Sequence, residues 1–333
     1  MAVTSKRTVG FLGIAVGAGL VAVAILLPTV VVPGAKRLPA EISQSIVATA
    51  NNAEVLDSAA VAAGGKVATE RGVPLRVDIR VRSEPPTSDR QVTVSAAART
   101  ARTDRQGDAA IVSAYVDRVS LNRRTARPLK SPTPAIIREA TGTAKAAPRT
   151  GFQYNFPLGV ARRSYPLYDT ETQTSPDASY IDDQRSVDGV KLFHFRQVIS
   201  NDNLYERLGS VASLTVPGGA VGRPAERLVR LDLIYSVRRD LWVEPNTGQI
   251  VDEQQQIHRE LVSGPSRVTS LRANINFSKA SVDDAAAMAR SNVNLLRWGT
   301  LWLPIILAIL GGVFLVLGSV IVGRSRPHVR TTA

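Results

Sequence analysis

Cysteine is absent from all 333 residues. Its absence excludes disulfides, iron–sulfur clusters, thiolate zinc sites and a thiol nucleophile. Histidine is scarce, with His194, His258 and His328 the three present. No two of them stand at the helix-face spacing of a zinc site. The chain also has no G-x-S-x-G elbow, H-E-x-x-H pair or phosphate-binding glycine loop. No metal and no other cofactor is expected. Aromatic residues make up 5% of the chain and are not interleaved with the basic runs. The formal charge of +13 therefore does not point to a nucleic-acid partner.

Charge is missing altogether from two long runs. Residues 9–32 read VGFLGIAVGAGLVAVAILLPTVVV, and residues 298–323 read WGTLWLPIILAILGGVFLVLGSVIVG. Each exceeds the ~20 apolar residues that a membrane-spanning helix needs. The first is too long for the core of a cleaved signal peptide and is followed by no A-x-A site, so it reads as an uncleaved anchor. The second carries Trp298 and Trp302 at one edge and Arg324 and Arg326 at the other, as interfacial belts do. Neither contains an ionisable residue, which leaves no proton relay or ion ligand within the bilayer. Two apolar helices alone cannot line a water-filled pore. Gly13 and Gly17, with Gly311 and Gly312, give each run a small-residue face for packing, either span to span or between copies in a homo-oligomer.

Two spans put both tails on one side. Lys6, Arg7, Arg324, Arg326 and Arg330 place them in the cytoplasm of a plasma-membrane protein, with a large domain outside. The expected organisation is a tail over 1–8, a span over 9–32, an extracytoplasmic domain over 33–297, a span over 298–323 and a tail over 324–333. At that location the basic balance suits membrane lipid headgroups or acidic envelope polymers.

The outer domain is expected to be mainly β (α+β), an antiparallel sheet or barrel-like fold. LRVDIRVRSE alternates Leu75, Val77, Ile79 and Val81 with Arg76, Asp78, Arg80 and Arg82, which predicts a half-buried strand. RQVTVSAAARTAR and AAIVSAYVDRVSLNRRT continue it as a meander. Residues 128–150 hold four prolines and predict a loop. VDGVKLFHFRQVIS predicts a strand with Phe193, Phe195 and Gln197 on one face. DLWVEPNTGQIVDEQQQI predicts a hairpin that turns at Pro245, Asn246 and Gly248. Pro33 and Gly34 should end the first helix. A last helix capped by Ser281 should run into the second span.

Candidate chemistry is sparse. His194, between two Phe residues in a strand, reads as a half-buried histidine. Asp182/Asp183 and Asp252/Glu253 are sequence neighbours, which point to opposite faces of a strand and make poor acid–base couples. Asp169 and Glu244, beside aromatic and apolar residues, are the acids a glycan-modifying enzyme could use. YDTETQTSPDASYIDD has oxygen ligands for calcium but not the spacing of a known loop.

Three stretches carry a resemblance: LLPTVVVPGAKRLP, TGFQYNFPLGVARRSYPLYD with DASYIDDQRSVDGVKLFHFRQVIS, and YSVRRDLWVEPNTGQIVDEQQQI. Together they look like the actinobacterial family of two-span membrane proteins catalogued as a domain of unknown function and labelled PorA-family or porin-like. The resemblance covers nearly the whole chain. It implies a cell-envelope role, because some members are associated with maturation of lipomannan to lipoarabinomannan. It brings no catalytic residues. The layout is similar to that of class B scavenger receptors, an analogy that does not establish function.

The leading expectation is thus a non-enzymatic envelope protein that binds or presents a lipid or lipoglycan intermediate. Phe152, Tyr154, Phe156, Tyr165 and Tyr168 would line an acyl groove, and Arg162 and Arg163 would meet the headgroup. The alternatives are a scaffold for envelope glycosyltransferases, a glycan-modifying enzyme using Asp169 or Glu244, and an oligomeric porin-like protein.

Overall fold

The computed structural model describes residues 2–138 and 142–324. Arg326, His328 and Arg330 lie outside the described residues, as do 139–141 of the expected loop. The chain forms two compact units, one of Met1–Lys36 with Ser291–Ala333 and one of Arg37–Arg290.

The first unit is a pair of antiparallel apolar helices. One is α-helical over Ala2–Leu26 and continues through a π-helical turn, Leu27–Val31, to Val32–Ala35. Pro28 lacks an N–H and its ring crowds the carbonyl four residues back. The widened turn relieves that clash, and Thr29 Oγ1 donates to the Ile25 carbonyl at 2.6 Å. Pro33 and Gly34, expected to end the helix, sit inside its last turn. The other helix repeats the device. It is π-helical over Trp298–Trp302, just before Pro304, and Thr300 Oγ1 donates to the Leu296 carbonyl at 2.8 Å. It then runs as Leu303–Arg324.

Glycine sets how closely these helices approach. A Cβ on Gly17 would lie 2.7 Å from the Gly311 carbonyl oxygen, and one on Gly318 would lie 2.7 Å from the Gly10 carbonyl oxygen. A Cβ on Gly13 would lie 3.5 Å from Gly318 Cα. Of the two packing modes expected for Gly13, Gly17 and Gly311, the structure uses span to span. Gly312 meets nothing within 4 Å.

The second unit is built on β1 (Ser43–Leu56), β2 (Thr69–Glu84), β3 (Gln91–Arg102), β4 (Ile111–Asn122), β5 (Ala135–Ile137), β6 (Lys145–Ala146), β7 (Tyr165–Pro166) and β8 (Asp177–Asp182). A small hairpin of β9 (Ser186–Val187) and β10 (Val190–Lys191) follows. Then come β11 (Phe193–Asn203), β12 (Ser213–Pro217), β13 (Leu228–Val243), β14 (Ile250–Ser263) and β15 (Ser266–Phe277). All but the small hairpin form one 13-stranded sheet in the order β6-β5-β4-β3-β2-β1-β15-β14-β13-β11-β8-β7, with β12 added beside β13. The sheet is open and antiparallel, so the barrel-like alternative is corrected to an unclosed sheet. Its central seam pairs β1 with β15 (Ala48 opposite Phe277, Glu54 opposite Arg272).

Alternation explains the core. On β2, Val73, Leu75, Val77 and Val81 are buried, while Arg76, Arg80 and Arg82 are exposed. Each fully buried aliphatic contributes roughly 1.5–3 kcal/mol. β1 was not expected as a strand. Its SQSIVATANNAEVL sequence is polar, and its pairing slips between Ala50 and Val55, so the period of two breaks. The segment 128–150 contributes β5 and β6 to the sheet edge instead of a plain loop. The last helix starts at Lys279. Ser278 Oγ, not Ser281, accepts the first-turn N–H, which is that of Ser281 at 3.2 Å. The Ser281 hydroxyl instead accepts from the Val47 N–H at 2.8 Å.

Candidate functional site

Tyr115 on β4 and Arg239 on β13 line the same cavity, although five strands lie between theirs in the sheet. The sheet must therefore curl around its inner face. Residues 167–175 contribute Thr170 and Glu171 to the cavity wall. Arg138 fastens this segment by donating to the Thr170 carbonyl. Its volume is about 110 Å³.

The inner face carries ions where alternation calls for apolar residues. Arg239 lies between the buried Val237 and Leu241. Its Nη2 is 3.1 Å from Asp169 Oδ2 and its Nη1 donates to Gln197 Oε1 at 2.6 Å. Its Nε is 3.0 Å from Glu253 Oε1, without the alignment of a hydrogen bond. Asp169 is fully buried. Its Oδ1 accepts the N–H groups of Glu171 and Thr172 at 3.0 and 2.8 Å, and its Oδ2 accepts the Tyr235 hydroxyl at 3.2 Å. Glu171 pairs with Arg259 at 2.9 Å and with Arg138 at 3.7 Å. Beside them Asp117 and Arg149 pair bidentately at 2.7 and 2.8 Å. Gln153 Nε2 and the Tyr154 hydroxyl also donate to Asp117.

Burial shapes the ionisation here. It pushes the Glu253 carboxyl above its ordinary value, against the pull of Arg239. It raises the Tyr115 hydroxyl to about 12 and the Tyr168 hydroxyl to about 12. Burial also opposes the charge on Arg149, but the bonded Asp117 outweighs it and holds the guanidinium above its usual range.

The expected lipid-facing residues lie elsewhere, and none of them lines this cavity. Phe152, Phe156 and Tyr165 are buried with Phe195, at ring-centroid separations of 4.8 to 5.9 Å. Tyr168 lies beneath the Arg149 guanidinium, 4.4 Å from it. Arg162 and Arg163 are exposed; Arg162 pairs with Asp183 and lies over Phe193, and Arg163 lies over Tyr165.

Asp169 and Glu244 are not brought together. Glu244 accepts both the backbone and side-chain donors of Asn246 and of Thr247, at 2.6 to 2.9 Å. It closes the β13–β14 turn, and the two acids share no partner. His194 is buried on the opposite face, 2.7 Å from Asp240 and 3.3 Å from Asp182, and stacks on Trp242 at 4.8 Å. Burial, aided by Arg272, lowers the His258 pKa. Among the described residues no group of acids and histidines is arranged to hold a metal ion.

Arg239, Arg259, Glu171, Asp117 and Arg149 were not anticipated, and Glu253 was weighed only as the sequence neighbour of Asp252. A signal for four of them was present. Asp117, Arg239, Glu253 and Arg259 occupy inward positions of their strands, where a charge must find a partner or carry a large desolvation cost.

The profile of the family described as Porin PorA matches residues 9–320. A relative named Porin PorA from Corynebacterium resistens is 30% identical over 317 residues, covering 76% of each chain. Another of that name, from Corynebacterium amycolatum, is 26% identical over 299 residues, covering 76% of this chain and 77% of its own.

Proposed function

The chain belongs to the Porin PorA family, and on that premise we propose that it is a porin-like membrane protein that works as an oligomer. The helix pair is the observation that carries the oligomer. Its inner faces meet glycine to backbone, so one copy holds no water-filled path between its helices. Its outer faces are apolar, with Phe11, Leu12, Ile309 and Val316 all exposed. Residues 9–32 and 298–323 contain no ionisable side chain. Passage of a polar solute then requires several copies around a shared axis.

In this reading both tails face the cytoplasm and the sheet unit lies outside the plasma membrane. The experiment is reconstitution of the full chain in planar bilayers, paired with native mass spectrometry of the same preparation. Discrete conductance steps from a species of several chains are expected. A strictly monomeric protein without conductance overturns the reading.

A further inference from the structure

Three arginines on the outward face of the sheet, Arg76, Arg118 and Arg272, are each matched to a carboxylate, Asp78, Glu84 and Glu54 in turn. Arg80 and Arg82 on β2 and Arg99 on β3 are not. All three are exposed, and among the described residues their side chains have no ion pair or hydrogen bond. They stand together. Arg80 and Arg82 leave the same face of one strand, about 7 Å apart. Arg99 lies opposite Asp78, the next outward position on β2. Like charges at neighbouring sheet positions repel, and a bound anion relieves that repulsion. Arg80 stands between Ser45 and Ala97, and Arg82 between Ser43 and Ser95. Such small neighbours leave the guanidiniums open to a ligand.

A row of amides continues this face. Gln254 stands opposite Asn276, and Gln256 opposite Asn274. Asn276 in turn stands opposite Thr49, and Thr49 opposite Arg76. The four amides are exposed, and among the described residues their side chains have no hydrogen-bond partner. Each offers two donors and an acceptor. From β14 to β3 the face crosses four strand intervals, about 19 Å, which suits a polymer better than a single ion.

The face lacks what a protein or a bilayer would use. Phe277, which lines the inner cavity, is the only Phe, Tyr or Trp on β1, β2, β3, β14 and β15. Protein interfaces are anchored by buried aromatic side chains, and insertion at a bilayer surface needs an apolar face. A polysaccharide needs neither. Its hydroxyls pair with amides, and its anionic groups with guanidinium forks. A second copy of this chain offers no matching row of anions. Glu41, Asp108, Asp177, Glu226 and Asp284, which enter no ion pair among the described residues, stand in separate parts of the chain.

We propose that the outward face from β14 to β3 binds an anionic polysaccharide. Arg80, Arg82 and Arg99 take its charged groups, and the four amides take its hydroxyls. The assignment concerns the sheet unit alone and is independent of conduction.

The test is isothermal titration calorimetry of the full chain in phosphatidylcholine nanodiscs, with empty nanodiscs as the blank. Polygalacturonate is the anionic probe and dextran the neutral one. Polygalacturonate should bind and dextran should not. The triple variant Arg80→Gln/Arg82→Gln/Arg99→Gln should weaken binding at least tenfold. Arg124→Gln/Lys130→Gln/Arg227→Gln removes the same charge at exposed positions outside the face and should change it less than twofold. Gln256→Ala/Asn274→Ala keeps the charge and should weaken binding at least threefold. All these side chains are exposed, and circular dichroism checks that the sheet is intact. Equal losses in the two triple variants overturn the proposal in favour of diffuse attraction to a basic protein. Polyphosphate that binds as tightly as polygalacturonate, with no effect of the amide variant, overturns it in favour of a plain polyanion site. Binding of phosphatidylglycerol vesicles without binding of polygalacturonate overturns it in favour of a lipid surface.

Discussion

Arg149 and Asp117 form a bidentate ion pair whose side chains have no exposed surface, with Nη2–Oδ1 at 2.7 Å and Nη1–Oδ2 at 2.8 Å. The pair ties β4 to the segment that follows β6. Removing one partner strands a buried charge. Asp117→Leu and Arg149→Met should therefore each destabilise the sheet unit, by about 3–5 kcal/mol. The double variant Asp117→Leu/Arg149→Met should recover most of that loss. Thermal and urea unfolding of the four proteins of this cycle gives the coupling directly, and additive losses would remove the pair from the account.

The glycine contacts between the anchor helices make a positional prediction. Gly17→Leu drives a side chain into the Gly311 backbone, and Gly318→Leu does the same at Gly10. Overpacking of this kind costs about 1–3 kcal/mol, and more where backbone must move. Gly312→Leu enters open space and should leave the melting temperature in detergent unchanged. Equal losses at 17 and 312 would mean that the pair is held by something other than close glycine packing.

How much of this was legible follows from which interactions are local. The inward row Leu75, Val77 and Val81 is written in adjacent alternation, and so is the β13–β14 hairpin with Gly248 at φ +73°. Two anchors follow from length and hydropathy alone. β1 was hidden because its register breaks and its residues are polar. The polar centre was hidden for a different reason. Arg149 and Asp117 are 32 positions apart, Arg239 and Asp169 are 70 apart, and Arg259 and Glu171 are 88 apart. A charge on an inward strand position announces that it needs a partner, and only the folded sheet says which one. The aromatics around Tyr165 announced themselves by type. Nothing in their spacing distinguishes an interlocked core from the wall of a groove.

Glu253 gives a pH prediction with a definite sign. Burial raises its folded-state pKa above the ordinary 4.5. Below 4.5 the carboxyl is protonated in both folded and unfolded chains and contributes nothing. As pH rises from there through the raised value, the unfolded chain releases the proton more readily, and stability falls. Glu253→Gln removes that titration. The variant should match the parent in acid and exceed it at neutral pH, measured as unfolding free energy against pH. A variant weaker than the parent at pH 7 would mean that the charged Arg239–Glu253 pair outweighs burial.

The absence of cysteine makes the orientation simple to test, because any thiol introduced is the only one. Lys6 lies in the tail assigned to the cytoplasm, and Ser45 lies exposed on β1 in the unit assigned to the outside. Lys6→Cys and Ser45→Cys should therefore respond oppositely to a membrane-impermeant maleimide on intact cells. Labelling is expected at 45 alone, with position 6 reacting only after the membrane is permeabilised. The basic residues near each tail, Lys6, Arg7 and Arg324, favour this direction through the positive-inside bias. That bias is modest here, because Lys36, Arg37, Arg290 and Arg297 flank the inner ends of the same helices. A long translocated domain is largely indifferent to its own charge, so the tails decide. Labelling at position 6 on intact cells, with 45 protected, would invert the protein and put the sheet unit inside the cell.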